Sequence, residues 1–474
     1  GARAAAVMTM QGVVVACGGE KRFGNLVTED GPRCMLELGF KPMVWYALQT
    51  LEKGGVRDVI LVAAGEANAA AFAQWIADEI GTGETSSLVV SVVAADEDAD
   101  TADALRAALP KLTTPTVTVI SGDLVTDVRL EDVLATHAKH SAVATCLVAR
   151  RRPWAAVDAK AGRPPKNAHY IAVAYDAPAA SASSAAEGQL LFAGDEEDVD
   201  KVLKLRRPML RRVQRMMIHT DLLDAQLYAF DVAWVSRLLR EEPWMTSLQL
   251  DVVPALARRQ FKPASAEDHD TAAAGAGAGA DDDDDAALMK AVYGPAAAGA
   301  GPGAPDAATA VRRPCRVFVA SEDAYCARVD TVVPAYLEVS REVASPAACD
   351  AAHLNGRAPS KYENFVDAGV AVGGKTTIGP GCVVARDVVL GEKCSVKRSV
   401  VARGASVGTG VKLVNSVVMP RASVEDGVSL NGCVVGPRAV IGAGSSLREC
   451  LVGAEYEVEE GDDVRAETLS SKAR

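Results

Sequence analysis

Sixteen aliphatic residues recur along the C-terminal part of the chain at steps of six, with a five at intervals: Val372, Ile378, Val384, Leu390, Val396, Val401, Val407, Leu413, Val418, Val424, Leu430, Val435, Ile441, Leu447, Val452 and Val458. From Leu390 the steps settle to six, six, five, so Leu390, Val407, Val424 and Ile441 stand 17 residues apart. A mostly small side chain lies two residues before each, as at Cys382, Cys394, Ser399, Ala405, Ser416, Cys433, Ala439 and Cys450, and seven of the sixteen are followed by glycine. This is the hexapeptide rule of a triangular parallel β-helix. The aliphatics fill the prism, the small residues sit near its corners, and glycine relieves crowding where the chain turns between faces. An amphipathic α-helix, with its period of 3.6, cannot hold that register. The pattern predicts about five coils stacked at about 4.8 Å. It also assigns Cys382, Cys394, Cys433 and Cys450 as buried corner residues rather than ligands.

The first half of the chain follows a different rhythm. Apolar runs at residues 12–17, 58–62, 88–93 and 116–120 read as buried parallel strands. Between them, segments 42–53, 67–80 and 101–109 carry helical periodicity, the first placing Val44, Leu48 and Leu51 on one face before stopping at Gly54-Gly55. Strands and helices alternating at this pitch predict a mostly parallel, doubly wound sheet. Residues 177–188 are Ala/Ser-rich and are expected to form a surface loop. Residues 264–313 combine Ala-Gly alternation with five consecutive aspartates, Asp281 to Asp285. They cannot bury enough apolar bulk to offset chain entropy, so a disordered linker is expected, the alternative being a dedicated acidic docking site. The resulting division is 10–263 for the α/β domain, 264–313 for the linker, 314–365 for a connector, 366–458 for the β-helix and 459–474 for a tail.

Composition narrows the function classes. At 474 residues the chain suggests about three units. Lys plus Arg is 50 and Asp plus Glu 62, so the formal charge is 50 − 62 = −12, which argues against a polyanion-binding protein. Apolar residues make up 49%, but much of that is alanine and aromatics are only 5%, so the core-forming bulk is smaller than it looks. No stretch approaches the roughly 20 apolar residues of a membrane helix. Residues 1–10 are too short for a secretory signal, and no pair among the ten cysteines has C-x-x-C spacing. A cytosolic protein is expected.

Two elements could carry chemistry. Gly18-Gly19-Glu20-Lys21-Arg22 follows the first strand, where backbone N–H groups can approach phosphates and Arg22 can neutralise them. Ser121-Gly122-Asp123 follows the strand 116–120, with Asp127 four residues on. A carboxylate at that edge, facing the glycine loop, is where a nucleotide-bound Mg²⁺ would sit; the alternative is an Asp that caps a turn or helix. Gly18, Gly19, Arg22 and Asp123 are therefore the candidate nucleotide pocket. His137 and His140 lie i, i+3 on a helix with no third ligand in view, and a solvated helix face is expected. The β-helix contains no histidine, since His353 precedes it, which argues against the acyl transfer that many such helices catalyse. The segment 201–215 carries Lys201, Lys204, Arg206, Arg207, Arg211, Arg212 and Arg215, either as a solvated surface or as a contact for an acidic partner.

Gly18-Gly19 with Arg22, the later Pro32-Arg33, Thr101-Ala102-Asp103-Ala104-Leu105 and Gly122-Asp123 occur in the order found in nucleotide-sugar pyrophosphorylases, in which a left-handed β-helix often follows the α/β domain. Lys41-Pro42-Met43-Val44-Trp45-Tyr46-Ala47-Leu48, Ser121-Gly122-Asp123-Leu124-Val125-Thr126-Asp127, His219 to Tyr228, and Arg316-Val317-Phe318-Val319 with Cys326-Ala327-Arg328-Val329 resemble one branch, the gamma subunit of eukaryotic translation initiation factor 2B. The resemblance implies a Rossmann-like nucleotidyltransferase domain followed by a left-handed parallel β-helix. It also implies a role in GDP-to-GTP exchange on initiation factor 2, within a hetero-decamer containing the epsilon and other subunits, with no direct nucleic-acid or membrane contact. In that family the exchange domain ends the epsilon subunit; only 16 residues follow Val458 here, so the gamma type is expected.

Departures from the pyrophosphorylase pattern point to a degenerate site. Glu20 stands where an active loop usually has a third glycine, opposing a triphosphate by about 1 kcal/mol or more. Arg33 replaces the Pro-Lys lysine, Asp100 replaces a glycine before the Thr-Ala pair, and the sugar-binding Asn-x-Gly is not recognisable near residues 220–227. The expectation is a non-catalytic subunit with no cofactor, no metal and no catalytic residue, keeping Gly18, Gly19, Arg22 and Asp123 as a vestigial pocket. The alternative is an active or regulatory pyrophosphorylase of the mannose-1-phosphate guanylyltransferase kind.

Overall fold

The computed structural model describes residues 10–18, 23, 26, 32–39, 41–79, 87–152, 169–176, 184–195, 203, 205, 207–213, 215–261, 313–343 and 360–470. Strand β1 (Gln11–Ala16) is buried at every position. A short hairpin, β2 (Glu37–Leu38) and β3 (Lys41–Pro42), leads into α1 (Met43–Lys53); β4 (Asp58–Ala64), α2 (Glu66–Glu79), β5 (Val89–Ala95), α3 (Thr101–Ala108) and β6 (Thr116–Ser121) follow. The predicted elements lie within two residues of these bounds. Strands β5, β4, β1 and β6 are mutually parallel, which is why the inner ones read as unbroken aliphatic runs rather than alternating ones.

The chain continues through β7 (Leu124–Thr126), α4 (Leu130–His140), β8 (Ala144–Arg150), β9 (His169–Tyr175), β10 (Ala186–Asp195), α5 (Arg207–Arg212), β11 (Met217–His219), β12 (Leu222–Asp231), α6 (Val232–Glu241) and α7 (Val253–Arg259). Beyond residue 312 come β13 (Cys315–Val319), β14 (Cys326–Arg328) and α8 (Leu337–Val343). The ten-stranded sheet has the order β11-β9-β10-β13-β8-β12-β6-β1-β4-β5. It is mixed, not mostly parallel as expected. β12 lies antiparallel to both β6 and β8, and β10 is antiparallel to β9 and β13. Residues 186–188, expected in a loop, begin β10 and pair with β13. β13 therefore fills the sheet between β10 and β8, although it follows them by more than a hundred residues.

The C-terminal unit is a left-handed parallel β-helix of three sheets with seven, six and six strands. The inward aliphatics from Val384 to Val458 form one core. One corner stacks Cys382, Ser399, Ser416, Cys433 and Cys450, all fully buried. Ser399 Oγ accepts the Ser416 N–H and Ser416 Oγ accepts the Cys433 N–H, both at 3.2 Å, so the column is a polar ladder between coils. The helix makes six coils, one more than expected, because the six-six-five register runs on through Val464 and Leu469, which pack against the same core.

One face of the prism carries a second aliphatic row pointing outward. Phe365, Val383, Val400, Val417 and Val434 are buried against Leu337, Val339 and Val343 of α8, in one cluster with Met43, Tyr46 and Val125 of the α/β domain. Each valine so covered contributes about 1.5–3 kcal/mol. Among the described residues no helix is long and apolar enough to cross a membrane. No disulfide joins the described cysteines, all nine of which are buried.

The glycine that follows an inward aliphatic answers to the next coil. A Cβ on Gly391 would lie 2.5 Å from the Gly408 carbonyl oxygen, whereas one on Gly374 meets nothing within 4 Å. Gly391→Ala is therefore expected to lower the unfolding free energy by about 1–3 kcal/mol through overpacking, and Gly374→Ala to change it by less than about 0.5 kcal/mol. Urea unfolding checks both; equal effects would refute the stacking account.

Candidate functional site

β1 delivers the chain into the glycine turn at Gly18, which has φ +78°. A Cβ here would stand 2.5 Å from Asp100 Oδ1, so both the backbone conformation and the close approach of Asp100 demand glycine. Asp100 caps α3: its Oδ1 accepts the Thr101 N–H at 2.8 Å, and the Asp103 carboxylate accepts the Asp100 N–H at 3.3 Å. Gly19, Glu20, Lys21 and Arg22 lie outside the described residues. Of the four predicted pocket residues, the structure thus locates Gly18 and Asp123.

Asp123 sits in the turn between β6 and β7 and is fully buried. It caps neither a turn nor a helix. Arg328 Nε and one of its terminal nitrogens bridge the two carboxylate oxygens at 3.1 and 3.0 Å. Arg33 donates to Oδ2 at 3.0 Å, and Ser121 Oγ to Oδ1 at 2.7 Å. Burial alone would push the Asp123 carboxyl up, but Arg328 and Arg33 outweigh it and hold the group well below the usual carboxylate range.

Each arginine is itself held by the fold. Arg33 follows Pro32 on a single 3-10 turn, reaches the Val329 carbonyl at 3.3 Å and lies over the Phe23 ring. Arg328 is fixed because β14 pairs with β7, aligning it with Leu124. Asp127 completes that latch, accepting the Tyr325 N–H at 2.8 Å.

This donor set does not fit a divalent cation. Mg²⁺ takes oxygen ligands at about 2.0–2.1 Å in near-octahedral array, and the Asp123 oxygens already receive three guanidinium contacts and a hydroxyl. The neighbouring carboxylate, Asp224, is also engaged, by the Gln226 N–H and the Tyr228 hydroxyl, each at 2.8 Å. Burial pushes Asp224 upward despite those bonds.

The region expected to lack a sugar motif contains a bulge. Gln226 adopts φ +53°, in the left-handed region that favours glycine, at a bulge in the pairing of β12 with β8. The Gln226 amide donates to Gln249, whose own amide lies 3.3 Å from His169. The cavity beside Asp224, lined also by His169, Asp195 and Gln249, is about 20 Å³. That admits one water, where ligand pockets measure about 300–1,000 Å³. A larger cleft of about 330 Å³ lies between α1 and the approach to α4, lined by Trp45, Gln49, Lys53 and Arg129, and includes neither Gly18 nor Asp123.

The two histidines of α4 differ from expectation. His137 is not solvated: it is buried, with Nδ1 3.0 Å from Thr145 Oγ1, because the last turn of α4 packs on β8. Burial lowers its pKa from 6.5 to about 4. His140 is partly exposed and has two acidic neighbours from β9–β10 that the sequence did not reveal, Asp176 at 3.5 Å and Glu187 at 3.7 Å. Those carboxylates are already paired, with Arg316 and with Lys139.

Asp123→Asn leaves two guanidinia without their anion, and a loss of about 3–5 kcal/mol in unfolding free energy is expected; a loss below about 1 kcal/mol would contradict the triad. Since the folded pKa is depressed, the contribution of Asp123 is complete above about pH 4 and disappears only as pH falls toward the folded value. For His137 the unfolded chain binds a proton that the folded chain refuses between pH 6.5 and about 4. Stability should therefore fall with decreasing pH across that window, by up to about 1.4 kcal/mol per unit. His137→Gln should remove that slope in urea titrations at pH 5 and 7, and an unchanged slope would refute it.

Residues 11–155 match the family described as Nucleotidyl transferase, and residues 390–472 match GlmU-like, C-terminal hexapeptide. Translation initiation factor eIF2B subunit gamma of Dictyostelium discoideum is 23% identical over 392 residues, covering 78% of this chain and 81% of that protein. Subunit gamma of Schizosaccharomyces pombe is 26% identical over 262 residues, 53% of this chain and 52% of that one. Subunit epsilon of the same yeast is 30% identical over 151 residues, 31% and 22% of the two chains. The chain is a nucleotidyl transferase domain joined to a hexapeptide β-helix, and along most of its length it is similar to subunit gamma of translation initiation factor eIF2B.

Proposed function

We propose that this chain is a non-catalytic, gamma-type subunit of an initiation factor 2B complex, which pairs with an epsilon subunit in the cytosol to promote GDP-to-GTP exchange on initiation factor 2. The observation that carries the reading is the state of Asp123. Phosphoryl transfer depends on positioned cations that neutralise developing charge on the phosphates. Here the carboxylate that would recruit such an ion is spent on Arg33 and Arg328.

The domain is then a scaffold, and its value is rigidity. The same arginine that closes the site ties β14 to β7, and the connector carries that order to α8 and the covered face of the β-helix. A second face presents Ala371, Val389, Ser406, Ser423 and Val440, a row uncharged until Glu457 ends it, which suits a permanent subunit contact.

Two assays test the reading. Sugar-1-phosphate and nucleoside triphosphate with Mg²⁺ should yield no pyrophosphate above background, and exchange by an epsilon subunit should be faster with this chain than without it. Robust sugar-phosphate-dependent turnover would overturn the proposal in favour of a pyrophosphorylase. Equal exchange in both mixtures would remove the stimulatory role.

A further inference from the structure

The ten-stranded sheet ends in two edge strands, β11 and β5, that are built differently. β11 has three residues and follows the exposed arginines Arg207, Arg211, Arg212 and Arg215 in sequence. Shortness and charge are the usual protection of an edge against pairing with another chain. β5 has neither. It runs for seven residues, Val89-Val90-Ser91-Val92-Val93-Ala94-Ala95, without charge or proline, and pairs with β4 without a bulge. Val89 is 68% exposed and the other six are partly exposed. Among the described residues β4 is its one neighbour in the sheet. A regular, uncharged edge of that length is a template for a further strand.

The hydrogen bonds to β4 identify which backbone groups are open. The Val89 N–H donates to the Arg57 carbonyl at 2.7 Å, and the Ala95 carbonyl accepts the Gly65 N–H at 2.9 Å. Alternate residues of a parallel strand direct both backbone groups to the same neighbour. Val89, Ser91, Val93 and Ala95 therefore serve β4, and Val90, Val92 and Ala94 turn their N–H and C=O groups to the open side. Those groups match themselves. Across a two-fold axis at Val92, antiparallel pairing sets Val92 opposite Val92 of a second copy, and Val90 opposite Ala94. Every open donor then meets an open acceptor. Sliding the copy by one residue would instead face open groups with groups already bound to β4.

Charge selects the same arrangement. Asp96, Glu97 and Asp98 follow β5, are exposed, and have no ion-pair partner among the described residues. Parallel pairing would set two such acidic ends side by side, whereas antiparallel pairing holds them about 20 Å apart, the length of the strand. It also brings Glu97 opposite Ser87 of the copy. The Ser87 hydroxyl accepts a hydrogen bond from the exposed Arg57 guanidinium, which lies 3.9 Å from Glu52. The basic start of each strand thus meets the acidic end of the other. Trp75 and Ile76 of α2, partly buried on the same core as Val90, Val92 and Ala94, widen the apolar border.

We propose that β5 is a self-association edge, through which two copies of this chain join their sheets antiparallel about a two-fold axis at Val92. This goes beyond the function proposed above and does not rest on it.

Sedimentation of the full chain tests it. The unaltered protein should form a dimer with a dissociation constant of about 1 µM. Val92→Pro removes a donor that β4 does not use, so the folded monomer should persist while the pairing at the axis is lost. Ser91→Lys sets two like charges about 7–8 Å apart across the axis. Each variant should weaken the dimer at least about 100-fold, with its far-UV circular dichroism unchanged. In the unaltered chain, hydrogen exchange of the peptide covering β5 should slow at least about tenfold as the dimer forms. A chain that stays monomeric at about 100 µM would overturn the proposal. So would a dimer that both variants leave intact, or one whose formation leaves exchange in β5 unchanged.

Discussion

One buried carboxylate, Asp123, governs how the chain beyond residue 312 is held to the α/β domain. An anion taken wholly out of water is costly unless it is paired and hydrogen-bonded. The fold meets that requirement with two guanidinia and a hydroxyl, brought from positions 33, 328 and 121. Arg328 lies 205 residues from its partner. The ion triad is thus a tertiary clamp as well as an electrostatic one, and the geometry that satisfies Asp123 leaves it no lone pair aimed at a metal.

The clamp explains why the segment beyond residue 312 belongs with the first domain. β13 completes the sheet between β10 and β8, β14 zips to β7 through Arg328, and α8 then presents Leu337, Val339 and Val343 to the β-helix. These packed contacts favour a fixed arrangement of the α/β domain, the connector and the covered face of the β-helix.

Much of this was legible in the sequence, for reasons that differ by element. The β-helix register is set by the six-six-five spacing alone, because every inward position must be aliphatic and every corner small; its extension through Val464 and Leu469 obeys the same spacing. The covered face shows in the sequence as the doubled pairs Val383-Val384, Val400-Val401, Val417-Val418 and Val434-Val435, repeated in four successive coils. The antiparallel half of the sheet was not legible, since strand direction depends on long-range pairing that apolar runs do not encode.

At the site, Asp123 was identified by its place after a parallel strand, but its partner was hidden. Arg328 sits between Ala327 and Val329 in an apolar strand, and a lone arginine in such a run is the signal that a buried anion awaits it. Gln226 was missed because nothing in its side chain signals a φ of +53°. His137 was misjudged because helix periodicity cannot tell which face β8 will cover.

The most direct test of the account is Mn²⁺ binding to the intact chain, followed by electron paramagnetic resonance of the free ion. With Asp123 clamped by Arg33 and Arg328, titration should reveal no site that Asp123→Asn abolishes, and Arg328→Ala should create one. A stoichiometric Mn²⁺ site in the unaltered protein that disappears on Asp123→Asn would contradict the claim that this carboxylate is already taken.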